Sequence, residues 1–232
     1  MKGQTLVTKN AMEQLSQVQS NFASKKKQEA LAIFNSIPMP KEREEDWRYT
    51  KIDALKIESF DLNQETKISA SSLSDDLIEK GVILTDINTA LDKYPIAQQY
   101  FFKSTKIDKD KFVALSAAHF NNGVFLYVPK NIELEEPIKI NFDGNGILHN
   151  IIVVEPNSKL DFIEEYSGQE MDKEQLNCCV TEVFANQNSK INFSHVNNWA
   201  KNTDNFTNIV GTVERDASIN WISGCFGGKT NK

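Results

Sequence analysis

Two hydrophobic periods run along this chain of 232 residues, and one gives way to the other near residue 110. In the first part, apolar residues recur three and four apart. Ala11, Leu15, Val18 and Phe22, then Ala30, Leu31 and Phe34, predict a helix over 9–36 that Pro38 and Pro40 stop. The polar stretch 61–76, with Ser69, Ser71, Ser72 and Ser74, predicts a loop. A short strand at 81–84, a helix at 86–94 ended by Pro95 and a second apolar helix at 96–102 follow. The charged segment 103–111 reads as a connection. The expected division is therefore an N-terminal helical, α+β region, 1–110, and a β region, 111–232.

From Phe112 onward, alternation and β-branched residues replace the helical spacing. Strands joined in pairs by tight turns are predicted at 124–128 with 138–142, 147–154 with 159–166, 178–184 with 190–196, and 206–213 with 218–222. One phrase opens the second strand of three pairs: Asn157-Ser158-Lys159-Leu160-Asp161-Phe162, Asn188-Ser189-Lys190-Ile191-Asn192-Phe193 and Asp216-Ala217-Ser218-Ile219-Asn220-Trp221. Period two puts Leu160/Phe162, Ile191/Phe193 and Ile219/Trp221 on one strand face. The copies lie 31 and 28 residues apart, the interval of a unit that cannot bury its own apolar face and must stack on its neighbour. The expected fold class is mainly β with an α-helical N-terminal region, built on a parallel β-helix in which Asn157, Asn188 and Asp216 form a ladder. A jelly roll or antiparallel β-sandwich is the alternative, because Pro156-Asn157-Ser158 would serve equally well as a hairpin turn. The longest inserts, 167–176 and 197–205, fall at the same place in successive units.

A net charge of −6 and a pI near 5.2 argue against a nucleic-acid or anionic-membrane partner, and Lys25-Lys26-Lys27 reads as a solvated helix face. Lys2 is not followed by an apolar run, and nothing approaches the ~18 apolar residues of a membrane span, so a cytoplasmic location is expected. Three cysteines are too few for a disulfide framework, and His119, His149 and His195 lack the paired spacing of a zinc site, so no metal site is expected. In a strand, Cys178 and Cys179 point to opposite faces.

No nucleophile with its base, carboxylate dyad or phosphate loop can be picked out. Gly228-Lys229-Thr230 copies the end of a phosphate loop, but the motif's first glycine would fall at Ser223, so bend glycines are the better account. Trp47 and Tyr49, among the charges of 43–48, read as aromatics that fasten the helical region to its neighbour. His195, two residues past Phe193, reads as a hydrogen-bonded core or rim histidine. The candidate site residues are Trp199, which lies in an otherwise polar insert, its neighbour Asn197, and Cys225, a potential thiolate otherwise read as a buried small hydrophobe.

The stretch Phe112-Val113-Ala114-Leu115-Ser116-Ala117-Ala118-His119-Phe120-Asn121-Asn122-Gly123-Val124-Phe125-Leu126-Tyr127-Val128-Pro129, with Glu136-Pro137-Ile138, resembles the SufB/SufD family of iron-sulfur cluster assembly proteins. Glu45-Asp46-Trp47-Arg48-Tyr49-Thr50 is similar to a Trp-basic-Tyr-Thr motif of the SufD branch, and Asn197-Asn198-Trp199 and Ile219-Asn220-Trp221-Ile222-Ser223-Gly224 fall where the family has similar residues. The resemblance implies a helical N-terminal region and a right-handed parallel β-helix. It implies a scaffold or partner subunit, not an enzyme, that works with SufB and the SufC ATPase on a nascent iron-sulfur cluster formed at the level of the complex. No cofactor is expected on this segment itself.

The SufB branch reads Gln-Asn-Trp near Trp199 and later Thr-Lys-Arg, where this chain has Asn208-Ile209-Val210. The missing basic residue favours the SufD branch. Family members run on well past the position of Lys232, so the resemblance implies either a fragment with only the first rungs of the β-helix or a shortened protein that has lost the functions of the later ones. An open last rung is expected to pair two copies as a homodimer through the strand at 218–222. The competing function is an unrelated β-solenoid binding module, such as a carbohydrate-binding protein, with Trp199, Trp221 and acidic residues along one exposed groove.

Overall fold

The computed structural model describes residues 21–232, so the part of the predicted first helix before Asn21 lies outside the described residues. Helix α1 spans Asn21–Ser36, and a short strand β1 (Lys67–Ala70), α2 (Asp75–Glu79), β2 (Ile83–Asp86), α3 (Ile87–Lys93), α4 (Pro95–Tyr100) and α5 (Lys111–His119) follow. Their boundaries have local causes. The Lys111 ammonium donates to the Phe34 and Ile37 carbonyls, at 2.6 and 2.9 Å, closing the end of α1 ahead of Pro38. Asp86 caps α3 through Thr89 N, Pro95 opens α4 at its first turn, and Asp110 caps α5 through Phe112 N and Val113 N.

Two expectations are corrected. The stretch 61–76 is not all loop: Ile68 and Ala70 alternate with polar neighbours, and β1 pairs antiparallel with Phe142 and Ile140. The alternating pattern begins at Val124 and not at Phe112. Residues 112–118 are buried on every side, so their run of apolar and small residues suits a helix packed between α1 and the sheet.

The β region has eight long strands: β3 (Val124–Val128), β4 (Ile138–Asp143), β5 (Ile147–Val154), β6 (Lys159–Ser167), β7 (Gln175–Ala185), β8 (Lys190–Trp199), β9 (Thr203–Val213) and β10 (Ser218–Gly227), with a short β11 (Thr230–Asn231) after them. They alternate between a five-stranded sheet, β1-β4-β6-β8-β10, and a six-stranded sheet, β11-β9-β7-β5-β3-β2. Every pairing from β3 onward is parallel, which settles the fold as a β-solenoid of about four turns and removes the jelly roll. The antiparallel strands β1 and β2 cover one end.

The repeated phrase is in register: Leu160 lies beside Ile191 and Ile191 beside Ile219, while Phe162, Phe193 and Trp221 form the next row. Its leading residues occupy the left-handed region, with φ of 62° at Asn157, 58° at Asn188 and 61° at Asp216. Asn131, at 61°, is an earlier member that the phrase does not reveal. Asn188 Nδ2 donates to Asn157 Oδ1 at 2.9 Å, and Asn157 Nδ2 to Asn131 Oδ1 at 3.0 Å, so these three form a ladder, while Asp216 shares the corner conformation but pairs its carboxylate with Arg215 at 3.1 Å. Amide side chains suit this corner because they tolerate the left-handed conformation and bond the rung below.

Two cores share the six-stranded sheet. One fills the bore between the sheets, with Leu126, Ile140, Phe142, Leu148, Leu160, Phe162, Val183 and Phe193. The other lies between the sheet's outer face and the helical layer, where Trp47, Phe112 and Phe206 meet and the Phe112 and Phe206 rings stack at 3.7 Å. Trp47 thus fastens the helical region as expected, whereas Tyr49, 93% exposed, does not. Cys178 faces the helical core and Cys179 the bore.

Candidate functional site

The parity that sends Leu160 and Phe162 inward sends Glu164 and Tyr166 inward after them, and on β8 it continues from Phe193 to His195, Asn197 and Trp199. All five of these later residues are at least 95% buried. The parallel register sets Glu164 beside His195, and Tyr166 beside Asn197 and then Cys225. From the opposite sheet, Asn150, Cys179 and Thr181 reach the same level of the bore. A polar column therefore runs through an otherwise apolar interior.

Its hydrogen bonds form one connected chain. Asn150 Nδ2 donates to the Tyr166 hydroxyl at 2.8 Å, and that hydroxyl donates to Glu164 Oε2 at 3.1 Å. Glu164 Oε1 lies 2.7 Å from His195 Nδ1. Asn197 Nδ2 approaches His195 Nε2 at 3.2 Å and Cys225 Sγ at 3.5 Å. An amide nitrogen can only donate, so Nε2 accepts and the imidazole proton sits on Nδ1, facing Glu164. Burial pushes the Cys179 thiol from its ordinary 9.0 up to about 12, with the charge of Glu164 adding to the effect. Burial also holds the Tyr166 hydroxyl well above its usual value. Both stay protonated at neutral pH, and the Tyr166 proton is the one given to Glu164.

The three predicted site residues separate. The column joins Asn197, 2% exposed, to Cys225, which is exposed in the last long strand and not buried as expected. Trp199 does not lie in a polar insert: Asn197 to Trp199 complete β8, and the break before β9 is only residues 200–202. The polar character misleads because asparagines extend hydrogen-bonded ladders from rung to rung, as where Asn177 Nδ2 donates to Asn205 Oδ1 at 2.8 Å. Trp199 is 3% exposed, its ring centroid 6.0 Å from that of Tyr166, and its indole N–H and Asn197 Oδ1 have no partner among the described residues. Gly227 bends the chain at φ 66° and passes so close that a Cβ there would lie 2.0 Å from the Trp199 carbonyl, which makes it a bend glycine as expected. Trp221 packs against Phe193 at 4.7 Å and stays 45% exposed while Trp199 is buried, so the two tryptophans do not line one exposed groove and the carbohydrate-module reading loses its support.

Glu164, Tyr166 and Asn150 were missed at the sequence level. The parity that placed His195 was already present for Glu164, two residues past Phe162, whereas the meeting with Asn150 needs the opposite sheet's register. Cys225 and His195 have the makings of a nucleophile and base oriented by a carboxylate, but the Asn197 amide stands between thiol and imidazole. The column as built ties rung to rung through Glu164 to His195 and Asn197 to Cys225. Elsewhere, a cavity of about 650 Å³ opens between the helical layer and β9, with Pro38, Trp47, Lys109, Phe206 and Lys232 among its walls. Among the described residues, no group of three or more His, Cys, Asp or Glu side chains is placed to hold a metal ion, and no helix is long and apolar enough to cross a membrane.

Comparison with known proteins covers both parts of the fold. Residues 65–140 match the family model for the SufBD protein N-terminal region, and residues 141–232 match the SUF system FeS cluster assembly SufBD core domain. The iron-sulfur cluster assembly protein SufD of Bacillus subtilis is 34% identical over 161 residues, 66% of this chain. Iron-sulfur cluster assembly SufBD family proteins of Staphylococcus epidermidis and Staphylococcus aureus are 25% and 26% identical over 171 residues, 71% of this chain. The matched stretch spans 37% of the length of each of these relatives. With the two matched regions meeting at β4 and the strands stacking in one continuous solenoid, the chain belongs to the SufB/SufD family of iron-sulfur cluster assembly proteins and is SufD-like within it.

Proposed function

We propose that this chain supplies the helical layer and first rungs of a SufD-like scaffold subunit. In this reading it works in the cytoplasm with SufB and SufC homologues, and the iron-sulfur cluster is the cargo of the complex, not a resident cofactor of these rungs. The observation that carries the reading is the unbroken match of 65–232 to the family's N-terminal and core regions, on a fold whose rungs are in register throughout that stretch. A scaffold role is supported by the bore, where the Cys179 thiol and the Tyr166 hydroxyl are buried within the hydrogen-bonded column and the Asn197 amide separates Cys225 from His195. A SufD-like role is supported by Ile209, which packs on the bore core where the SufB branch is expected to carry a basic residue.

The test is co-purification of the full-length protein containing this segment with tagged SufB and SufC homologues from the same organism. Recovery of a stoichiometric complex is expected, and failure to associate with either partner overturns the reading. The proposal extends to self-association of the 232-residue polypeptide. Strand β10 edges the five-stranded sheet and exposes Trp221, Ile222 and Phe226, so two copies are expected to pair through it. Light scattering that gives a monomer mass at high concentration contradicts that extension.

A further inference from the structure

Glu182 lies on β7 on the face away from the bore, between Val180 and Phe184, and its side chain is fully buried. Four donors converge on it. Phe102 N and His149 Nε2 reach Oε1 at 2.6 and 3.2 Å, while Ser104 N and Ser104 Oγ both reach Oε2 at 2.6 Å. The Phe102 and Ser104 backbone N–H groups can only donate, so each oxygen accepts as a carboxylate does, and His149 meets Oε1 through an Nε2–H. Three of the four donors belong to the segment between α4 and α5, and only His149 belongs to the solenoid.

The segment is shaped for this contact at a local cost. Phe102 has φ of 50°, a left-handed conformation that costs a non-glycine residue about 1–2 kcal/mol. That turn aims two nearby amides at one anion, as in the backbone concavities that bind anions elsewhere. The Phe101 and Phe102 rings close over His149 with centroids 4.8 and 4.4 Å away. Among the described residues, no lysine or arginine pairs with Glu182, so the charge is held by dipoles of the helical layer, and withdrawing them would strand it. Such a contact favours a layer that is either fully seated or released.

We infer that the helical layer over β5, β7 and β9 is a separately opening unit latched to the solenoid by Glu182, and that the bore stays closed when it opens. Strands β1 and β2 pair only with the first rung, so they tether the layer without covering β7. Adjacent cysteines report the two cores independently. Cys178 is under the layer, with its Sγ donating to the Phe112 carbonyl at 3.1 Å, and Cys179 is in the bore. Opening of the layer uncovers the first, and only disruption of the solenoid uncovers both.

The experiment is pulsed alkylation with N-ethylmaleimide in native buffer, read by fragment-resolved mass spectrometry in the chain and in Glu182→Gln, with backbone hydrogen exchange of 101–104 measured in parallel. A glutamine turns an NH₂ toward donors that an oxygen now accepts. Cys178 labelling is expected to accelerate by about tenfold or more, with faster exchange over 101–104 and unchanged labelling of Cys179. Ser104→Ala removes one donor while sparing the carboxylate, and a smaller acceleration in the same pattern is expected. It carries the test if Glu182→Gln does not fold. Equal acceleration of Cys178 and Cys179, faster exchange over 101–104 with Cys178 unchanged, or no change in either readout each overturns the inference.

Discussion

The solenoid's two sheets each bury one glutamate against one histidine, and they do so in opposite directions. In the five-stranded sheet Glu164 and His195 are direct register partners that point into the bore, 2.7 Å apart. In the six-stranded sheet His149 lies beside Val180, so it reaches Glu182 diagonally, at 3.2 Å, on the face covered by the helical layer. Glu164 finds its other partner, Tyr166, two residues along its own strand. Glu182 draws its remaining donors from a segment some 80 residues earlier. The same pair of residue types thus ties rung to rung in one place and layer to rungs in the other, and the difference lies in where the remaining hydrogen bonds come from.

The sharpest way to break this contrast is to remove the bore carboxylate. Glu164→Ala leaves the buried His195 Nδ1–H without its acceptor and takes the carboxylate acceptor from the Tyr166 hydroxyl. It is expected to lower global stability by about 3–5 kcal/mol in denaturant titration. A loss confined to the helical layer would mean that the pair does not join the rungs.

This contrast also explains what the sequence showed. The five-stranded sheet has one wet face, so β6 and β8 alternate and the phrase at Leu160/Phe162 and Ile191/Phe193 stands out. Strands β5 and β7 are buried along their whole length, and runs such as Ile151-Ile152-Val153-Val154 show neither the bore face nor the outer one. Periodicity found their positions but not the partners of His149 and Glu182, because diagonal contacts depend on register and on a layer distant in sequence. The same ambiguity hid α5, since a segment buried all round carries no alternation to distinguish helix from strand. Asn197 was legible as a candidate, but its place beside Cys225 required the parallel register that only stacking supplies.

Alkaline pH sharpens the comparison next. Below pH 9 the Cys179 thiol is protonated in both the folded and the unfolded chain and contributes no pH dependence. Between 9 and about 12 the unfolded chain releases that proton while the bore retains it, so stability falls as pH rises, by about 1.4 kcal/mol per unit for this group. Cys179→Ala is therefore expected to flatten the slope of the denaturation midpoint between pH 9 and 11. An unchanged slope would remove the thiol from the account.

Smaller effects separate the corner ladder from the exposed face of the same sheet. Asn157→Ala forces alanine into φ near 62° and breaks the link between Asn131 and Asn188, for an expected loss of about 1–2 kcal/mol, whereas Asn157→Gly keeps the conformation and should lose less. Asn192→Ala on the wet face interrupts the row Asp161, Asn192, Asn220 and should change stability by less than about 0.5 kcal/mol. Equal losses at Asn157 and Asn192 would show that ladder hydrogen bonds, and not the left-handed corner, set the cost.

Native-state hydrogen exchange across residues 21–232 tests most directly whether the two buried pairs hold two separate units. Amides of β6 and β8 are expected to exchange only through global unfolding, and those of 101–119 through a cheaper opening that Glu182→Gln makes cheaper still while the β6 and β8 values change less. A single opening free energy shared by the layer and the rungs, lowered equally in Glu182→Gln and Glu164→Ala, would contradict the account.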